Sequence, residues 1–377
     1  MGKIQDCHSV NYFRQIHYLL DYYSMRFLDF QTIVTEAWRA FRPEVPLKAV
    51  TDISVRVSTN YVYKLEFEKR EFLISKLSLF GKYDHFVEDH EIINALADKL
   101  PWPYDQTLAR SLTKHGRVFT YRYQLAEQEV WVVFYRPVQI RRRLPKRLQP
   151  QQISNLGEQL AHFHRACTDV LPLLPGSSKN MRDDLREFKG HLGTEMGDFE
   201  YGAHRPQIER HIDRYLEQAE TLGAHTFPAI PVFVDWNIGN FSLTNSGEIF
   251  SRWDYDWFRM SSRVVDFYFM SRVVSDIGDQ SHFSYHVNPM MEDRFLTFLR
   301  AYHRVFPLSE AEIRFTKEAY RFFLLHYVVN LGRYFFHSIY ATRLLKETFE
   351  IHLPRLEEHF DTEKLLQACS SMTSAAS

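Results

Sequence analysis

The chain has 377 residues, enough for one large two-lobed unit or for two domains. Hydrophobic residues make up 45% of the chain and aromatic residues 15%, so a substantial core can be buried. The formal net charge is -1, which excludes a global basic field of the kind that attracts nucleic acid or an anionic membrane. We therefore expect neither as a partner.

The cysteines and the N-terminus indicate a cellular location. Cys7, Cys167 and Cys369 are far apart and match no metal-binding spacing. The first residues, MGKIQDCHSV, lack the apolar segment of a secretory signal. Because reduced thiols are typical of the cytosol, we expect a cytoplasmic protein.

Hydrophobic periodicity divides the chain into four parts. Residues 1–50 are predicted to form a helical extension, because apolar residues recur there at intervals of three and four. Residues 51–137 alternate between apolar and polar, with a helical pattern over 84–100, and predict a small antiparallel β-rich lobe. Residues 138–365 are mostly helical in pattern and predict a larger lobe, and residues 366–377 a disordered tail. The expected fold class is therefore α+β, with two lobes.

The most informative motif lies over residues 231–258, PVFVDWNIGNFSLTNSGEIFSRWDYDWF. An apolar run ends at Asp235, Asn240 follows five residues later, and Asp254 lies fourteen residues beyond it. This is the order and spacing of the phosphoryl-transfer loop and the metal-binding aspartate of the kinase fold. An isolated Asp-x-x-x-x-Asn arises by chance about once in such a chain, so the flanking apolar segments carry much of the weight.

Each polar residue of the motif has a chemical and a structural interpretation. Asp235 would accept or orient the proton of a substrate hydroxyl, or else cap a turn. Asn240 would offer its amide oxygen to Mg²⁺, or else serve as a turn residue beside Gly239. Asp254 would bind the same ion, because an unpaired carboxylate among large aromatic residues is costly. Asp256 is either a second ligand or uninvolved.

Lys76 lies within the apolar segment EFLISKLSLF and needs a partner there. It is predicted to contact the α- and β-phosphates of ATP and to pair with a glutamate of the following helix. Glu91 is the preferred glutamate and Glu88 the alternative. A lysine on an edge strand that extends into water is the structural interpretation.

The turn around Ser58, Thr59 and Asn60 is predicted to cover the phosphates of the nucleotide. It contains no glycine, so hydroxyl and backbone N–H groups would replace the usual close approach of a glycine-rich backbone.

Further polar residues have weaker signals. Asp266 is expected to have a structural role, in which it begins or anchors a helix and ties down the loop. Three acids of the helical lobe would suit a cationic acceptor but are equally ordinary surface charges: Asp183, Asp184 and Glu187.

With these residues assembled, the chain resembles the aminoglycoside phosphotransferase and choline kinase superfamily over residues 52–340. The motifs that carry the resemblance are NYVYKLEF, LISK, LGEQLAHFHRAC, VDWNIGNF and WDYDWF followed by VVDFYF. The resemblance implies a protein-kinase-like fold, Asp235 as the catalytic base, Asn240 and Asp254 as magnesium ligands, and Lys76 with Glu91 on the phosphates.

Two positions depart from the pattern of that superfamily. Phe233 stands where a histidine usually precedes the catalytic aspartate, and the nucleotide loop has no glycine. The first hypothesis is a phosphotransferase that uses ATP and Mg²⁺ and acts on a hydroxyl of a small molecule. The alternative is a nucleotide-binding pseudokinase or regulatory protein without transfer activity. An unusual protein kinase is disfavoured, because no activation segment is evident.

Overall fold

The computed structural model describes residues 29–55, 60–69, 71–125, 128–276 and 284–370. Its small lobe contains a five-stranded antiparallel sheet of order β1-β2-β3-β7-β6, with a two-stranded β4-β5 hairpin beside it. The strands are β1 (Ala49–Asp52), β2 (Tyr61–Glu66), β3 (Phe72–Ser78), β4 (Thr113–Lys114), β5 (Arg117–Val118), β6 (Thr120–Leu125) and β7 (Gln128–Tyr135).

A helix covers each face of this sheet. Helix α1 (Phe30–Phe41) packs on the face that carries Val132 and Phe134. Helix α2 (Tyr83–Lys99) packs on the opposite face, with Val133 and Tyr135. Side chains of successive residues in a strand point to opposite faces of the sheet. Strand β7 therefore contributes alternate side chains to the packing against α1 and against α2. Lys76 pairs in register with Val133 and therefore lies on the α2 face.

Helix α1 is the described part of the predicted N-terminal extension; residues 1–28 lie outside the described ranges. Its buried residues recur at helical spacing: Phe30, Ile33, Val34, Ala37, Trp38 and Phe41. The helix begins at Asp29, whose carboxylate accepts a hydrogen bond from the backbone N–H of Thr32 at 3.2 Å. Helix α1 therefore closes the outer face of the sheet.

The large lobe is mainly helical. Its helices are α3 (Pro150–Val170), α4 (Met181–Leu192), α5 (Glu195–Tyr201), α6 (Arg205–Thr221), α7 (Phe267–Val274), α8 (Asp293–Val305), α9 (Glu310–Phe322), α10 (Gly332–Phe335), α11 (Ser338–Glu347), α12 (Leu356–His359) and α13 (Thr362–Ser370). Short π-helices occupy Phe323–Asn330 and Thr348–His352, and single 3₁₀ turns occupy Leu171–Leu173, Ala224–Thr226, Arg263–Asp266 and Asn288–Met291.

Two short pairs of antiparallel strands in the large lobe carry the predicted motif. Strand β8 (Ile230–Val232) pairs with β11 (Arg259–Ser261), and β9 (Phe241–Leu243) pairs with β10 (Ile249–Arg252). The loop from β8 to β9 holds Asp235 and Asn240, and the turn from β10 to β11 holds Asp254. Both segments thus emerge from one small β-region beside the sheet lobe.

The bilobal α+β fold class predicted from the sequence is confirmed. The predicted tail is wrong for residues 366–370, which belong to α13 and bury Ala368 and Cys369. Residues 371–377 lie outside the described ranges. None of the described helices is both long and apolar enough to cross a membrane.

Candidate active site

The loop that carries Asp235 is fixed from below by Asp266. One carboxylate oxygen of Asp266 accepts hydrogen bonds from the backbone N–H groups of Phe233, at 3.0 Å, and Val234, at 2.7 Å. Val234 has a φ of 59°, a conformation that is strained for a β-branched residue. The predicted role of Asp266 in tying down this loop is confirmed by these contacts.

A buried histidine holds the other oxygen of Asp266. His164 Nε2 lies 3.0 Å from that oxygen, and His164 Nδ1 lies 2.8 Å from the hydroxyl of Tyr302. Burial lowers the pKa of His164 despite the neighbouring carboxylate. A neutral imidazole that donates from Nε2 and accepts at Nδ1 satisfies this chain of hydrogen bonds.

Asp235 and Asn240 are in direct contact on the loop. The Asn240 amide donates through Nδ2 to Asp235 Oδ2 at 3.0 Å, and the N–H of Asn237 donates to Asp235 Oδ1 at 3.2 Å. Asp235 is half-buried, as is Asn240. Because Nδ2 faces Asp235, the amide oxygen is the end of the Asn240 side chain that suits a cation.

Arg252 is a residue of the site that the sequence reasoning missed. Its buried guanidinium donates to the backbone carbonyls of Asp235 at 2.8 Å, Asn240 at 3.1 Å and Trp253. Burial lowers the pKa of Arg252 despite the carboxylates nearby. The arginine therefore links the loop to the segment of Asp254. The available signal was its position at the end of a short apolar strand, immediately before that segment.

Phe233 occupies the position at which the resembling superfamily has a histidine. Its ring lies 5.2 Å from the guanidinium carbon of Arg252 and contacts the rings of Phe163 and Phe258, with centroids 6.1 and 5.4 Å away. The side chain is fully buried. Phe233 therefore packs beneath the loop, and its backbone is held by Asp266.

Lys76 reaches across from the sheet lobe to residues 254–258, which carry the predicted metal ligands. Its ammonium group lies 3.0 Å from Asp254 Oδ1 and also contacts Asp256. Asn60 donates a hydrogen bond to the other oxygen of Asp256. The side chain of Lys76 is only 8% exposed, whereas that of Asp254 is 40% exposed. Two carboxylates thus face one lysine between the lobes.

The pKa values of Lys76, Asp254 and Asp256 reflect the excess of two negative charges over one positive charge. Although burial opposes it, the charge of Lys76 keeps the pKa of Asp254 low, and the two carboxylates keep the pKa of Lys76 high. Burial and the adjacent Asp254 raise the pKa of Asp256 to about 6, against the attraction of Lys76. A divalent cation would supply the second positive charge. Carboxylate and amide oxygens are the ligands that Mg²⁺ prefers, so Asp254, Asp256 and Asn240 fit such an ion.

The predicted pairing of Lys76 with Glu91 is wrong. Glu91 instead accepts a hydrogen bond from the backbone N–H of Val118 at 2.8 Å, on the side of α2 that faces β5. The alternative, Glu88, bonds to Ser177 and Ser178 of the large lobe. Within the described ranges, the acidic partners of Lys76 are Asp254 and Asp256.

The other predicted residues are the nucleotide turn and three acids of the helical lobe. Ser58 and Thr59 lie outside the described residues, and only Asn60 of that turn is placed. Each of the three acids considered for a cationic acceptor has a basic partner. Asp183 lies 3.4 Å from Arg186, Asp184 lies 2.5 Å from Arg259, and Glu187 lies 2.7 Å from Lys82.

Solved structures share this architecture. Amicoumacin kinase hAmiN, in complex with AMP-PNP, Ca²⁺ and Ami, matches 90% of this chain and 97% of its own, at 15% identity and a TM-score of 0.59. The microcompartment-associated aminopropanol kinase matches 90% and 95%, at 11% identity and a TM-score of 0.52. Wild-type aminoglycoside 2'-phosphotransferase-IIIa, in its GDP complex, matches 89% and 99%, at 12% identity and a TM-score of 0.51.

No protein-family model and no curated protein sequence matches this chain. At 11–15% identity, the structural likeness establishes the fold and leaves the reaction to be argued from the site. The chain has the bilobal kinase-like fold of the aminoglycoside phosphotransferases and related small-molecule kinases, as the resemblance in its sequence implied.

Proposed function

We propose that the protein is a phosphotransferase that moves the γ-phosphate of ATP to a hydroxyl of a small molecule, with Mg²⁺ as cofactor. One observation carries the proposal: Lys76 converges with Asp254 and Asp256 between the lobes, and Asp235 contacts Asn240 on the adjacent loop. A base, a phosphate-binding cation and oxygen ligands for a metal are the groups that phosphoryl transfer requires.

The roles follow from the chemistry of each side chain. Asp235 would orient the acceptor hydroxyl and take its proton as the oxygen attacks phosphorus. Lys76 would exchange its contacts with the two aspartates for contacts with phosphate oxygens. Asn240 and Asp254 would hold the magnesium ion, which when bound neutralises charge on the β- and γ-phosphates. Asn60, beside Asp256, would lie at the edge of the nucleotide loop.

Arg252 and Asp266 would act through the backbone. Both bind main-chain groups on either side of Asp235 and therefore keep its carboxylate in one place. In phosphoryl transfer the protein contributes mainly positioning and charge neutralisation, so a rigid loop matters.

The acceptor belongs to the class of small molecules with a free hydroxyl, and amino alcohols, aminoglycosides, sugars and homoserine-like compounds all fit this class. Because Asp183, Asp184 and Glu187 already have basic partners, these acids do not by themselves favour a cationic acceptor. The solved relatives in complex with AMP-PNP and GDP make both ATP and GTP worth testing as donors.

Nucleotide and metal binding provide the first test. We expect ATP with Mg²⁺, at about a hundred times its dissociation constant, to stabilise the folded protein by roughly 2.7 kcal/mol. Asp254→Ala should abolish the magnesium-dependent part of this stabilisation. Asp213→Ala, a change at a half-exposed aspartate of α6, is the matched control and should keep it.

Transfer itself is tested by ADP release with a panel of hydroxyl compounds. ADP formation that depends on one of these acceptors supports the proposal. Magnesium-dependent binding without ADP formation with any acceptor would favour the nucleotide-binding alternative. No stabilisation by millimolar ATP or GTP would refute the nucleotide site.

A further inference from the structure

Helix α2 is attached to the large lobe along its N-terminal half. Glu88 accepts hydrogen bonds from the hydroxyl of Ser177 and the backbone N–H of Ser178, both at 2.7 Å. Six residues earlier, at the start of the helix, Lys82 pairs with Glu187 at 2.7 Å. The helix therefore contacts both the sheet that carries Lys76 and the segment that precedes α4.

The most buried of these contacts is made by Lys179. Its ammonium group lies 2.6 Å from the Asp89 carboxylate on α2 and also donates to the backbone carbonyl of Phe258. The side chains of Lys179 and Asp89 are 14% and 13% exposed. We call this set of three groups the Lys179 bridge.

The bridge ends on the segment that carries the predicted metal ligands. Phe258 is two residues beyond Asp256 and four beyond Asp254. Its carbonyl is fixed by Lys179, and the preceding residue, Trp257, accepts a hydrogen bond on its carbonyl from the hydroxyl of Tyr327 at 3.2 Å. The far end of the metal-binding segment is thus held by two donors.

Charge makes the two ends of the bridge depend on each other. Burial lowers the pKa of Lys179 and raises that of Asp89 to about 6, and each is drawn back towards its charged form by the other. Removing one partner leaves the other buried without compensation, which is far less favourable than keeping or removing both. Both ends must therefore stay together for the packing between the lobes to persist.

We propose that Lys179 is a positioning residue, which holds the metal-binding segment 254–258 in place by fixing the Phe258 carbonyl against α2. In this arrangement α2 is tied to the site through Asp89 and Lys179, and not through the expected pair of Lys76 and Glu91. The proposal rests on the proposed function, because it assigns to the bridge an effect on metal-dependent nucleotide binding.

The test compares Lys179→Met, which removes the charge but keeps the stem, with Lys179→Arg and wild type. Lys189→Met is the matched control, since Lys189 lies on α4 and pairs at the surface with Asp213. Calorimetry with AMP-PNP and MgCl₂ gives the dissociation constant, and hydrogen exchange read by mass spectrometry reports the mobility of residues 254–261.

We expect Lys179→Met to weaken magnesium-dependent AMP-PNP binding by about 5- to 150-fold, the usual range of coupling between sites. Exchange in residues 254–261 should accelerate, Lys179→Arg should restore part of both effects, and Lys189→Met should change neither. If Lys179→Met does not fold, Asp89→Asn replaces it, with the same expectation.

A loss of thermal stability with unchanged exchange in residues 254–261 and unchanged AMP-PNP affinity would overturn the proposal, since the bridge would then be only structural. Failure of wild type to bind AMP-PNP or any other nucleotide would refute the proposed function instead. The exchange measurement would still decide whether Lys179 fixes the segment.

Discussion

Asp266→Ala should lower both stability and catalysis, because this one carboxylate holds the backbone beneath Asp235. The substitution leaves the buried N–H groups of Phe233 and Val234 without an acceptor. Each orphaned buried donor costs about 1–3 kcal/mol, so these two backbone groups alone account for about 2–6 kcal/mol, and His164 Nε2 loses its acceptor as well. Val234 would also be released from its left-handed conformation, and the Asp235 carboxylate would shift with it.

Asp266→Asn separates the two consequences. The amide oxygen can still accept from both N–H groups, while the amide nitrogen faces His164, which must then change tautomer and accept at Nε2. We therefore expect Asp266→Asn to retain more stability than Asp266→Ala.

Denaturant unfolding of wild type, Asp266→Asn and Asp266→Ala measures these differences, and Asp213→Ala serves as the surface control, expected within about 0.5 kcal/mol of wild type. If Asp266→Ala unfolds within that same margin, the buried carboxylate does not hold the loop and the reasoning is wrong.

Three further predictions concern single groups. Lys76→Met should abolish nucleotide binding, measured by calorimetry, whereas Glu91→Gln should leave it within about twofold, because Glu91 bonds to a strand and not to Lys76. Arg252→Met should destabilise the fold by about 2–5 kcal/mol in denaturant unfolding, because three hydrogen bonds from a charged donor to part-buried backbone carbonyls are lost. Burial lowers the pKa of His90 from 6.5 to about 4. Since the unfolded chain then binds the proton first, stability should fall as pH drops from about 6.5 to about 4, by about 3 kcal/mol from this residue. His90→Gln should reduce that slope in unfolding measured across this pH range, and an unchanged slope would contradict the assignment.

The sequence was sufficient for those parts of the site that are local in the chain. Asp235 and Asn240 lie five residues apart on the short loop from β8 to β9, so the loop itself brings them into contact. The alternation of polar and apolar residues around Lys76 likewise placed it in a sheet, and the sheet is observed.

Contacts between distant segments were not predictable in the same way. Helix α2 carries Glu88, Asp89 and Glu91 within one turn, and only its rotation against the two lobes decides which acid faces which partner. The structure directs Glu91 to the small lobe and Asp89 to Lys179, ninety residues further along the chain. No local pattern contains that information.

A buried charged residue was also missing from the sequence prediction. Arg252 resembles a surface residue at the end of a strand, yet it is fully buried and its partners are backbone carbonyls. Such carbonyls carry no signature in the sequence, because every residue has one. The long N-terminal helical pattern was recognisable, but its packing on the outer sheet face through Trp38 depended on knowing which face was open.

The measurement that tests the central claim most directly is turnover of Asp235→Asn with the acceptor found by ADP release. We predict that this substitution lowers the rate of phosphate transfer by at least about a hundredfold and leaves the dissociation constant for the magnesium nucleotide nearly unchanged, because it removes only the proton acceptor. Asp213→Asn, at the surface of α6, should keep the wild-type rate. A rate near that of wild type in Asp235→Asn would contradict the assignment of Asp235 as the base and, with it, the proposed mechanism.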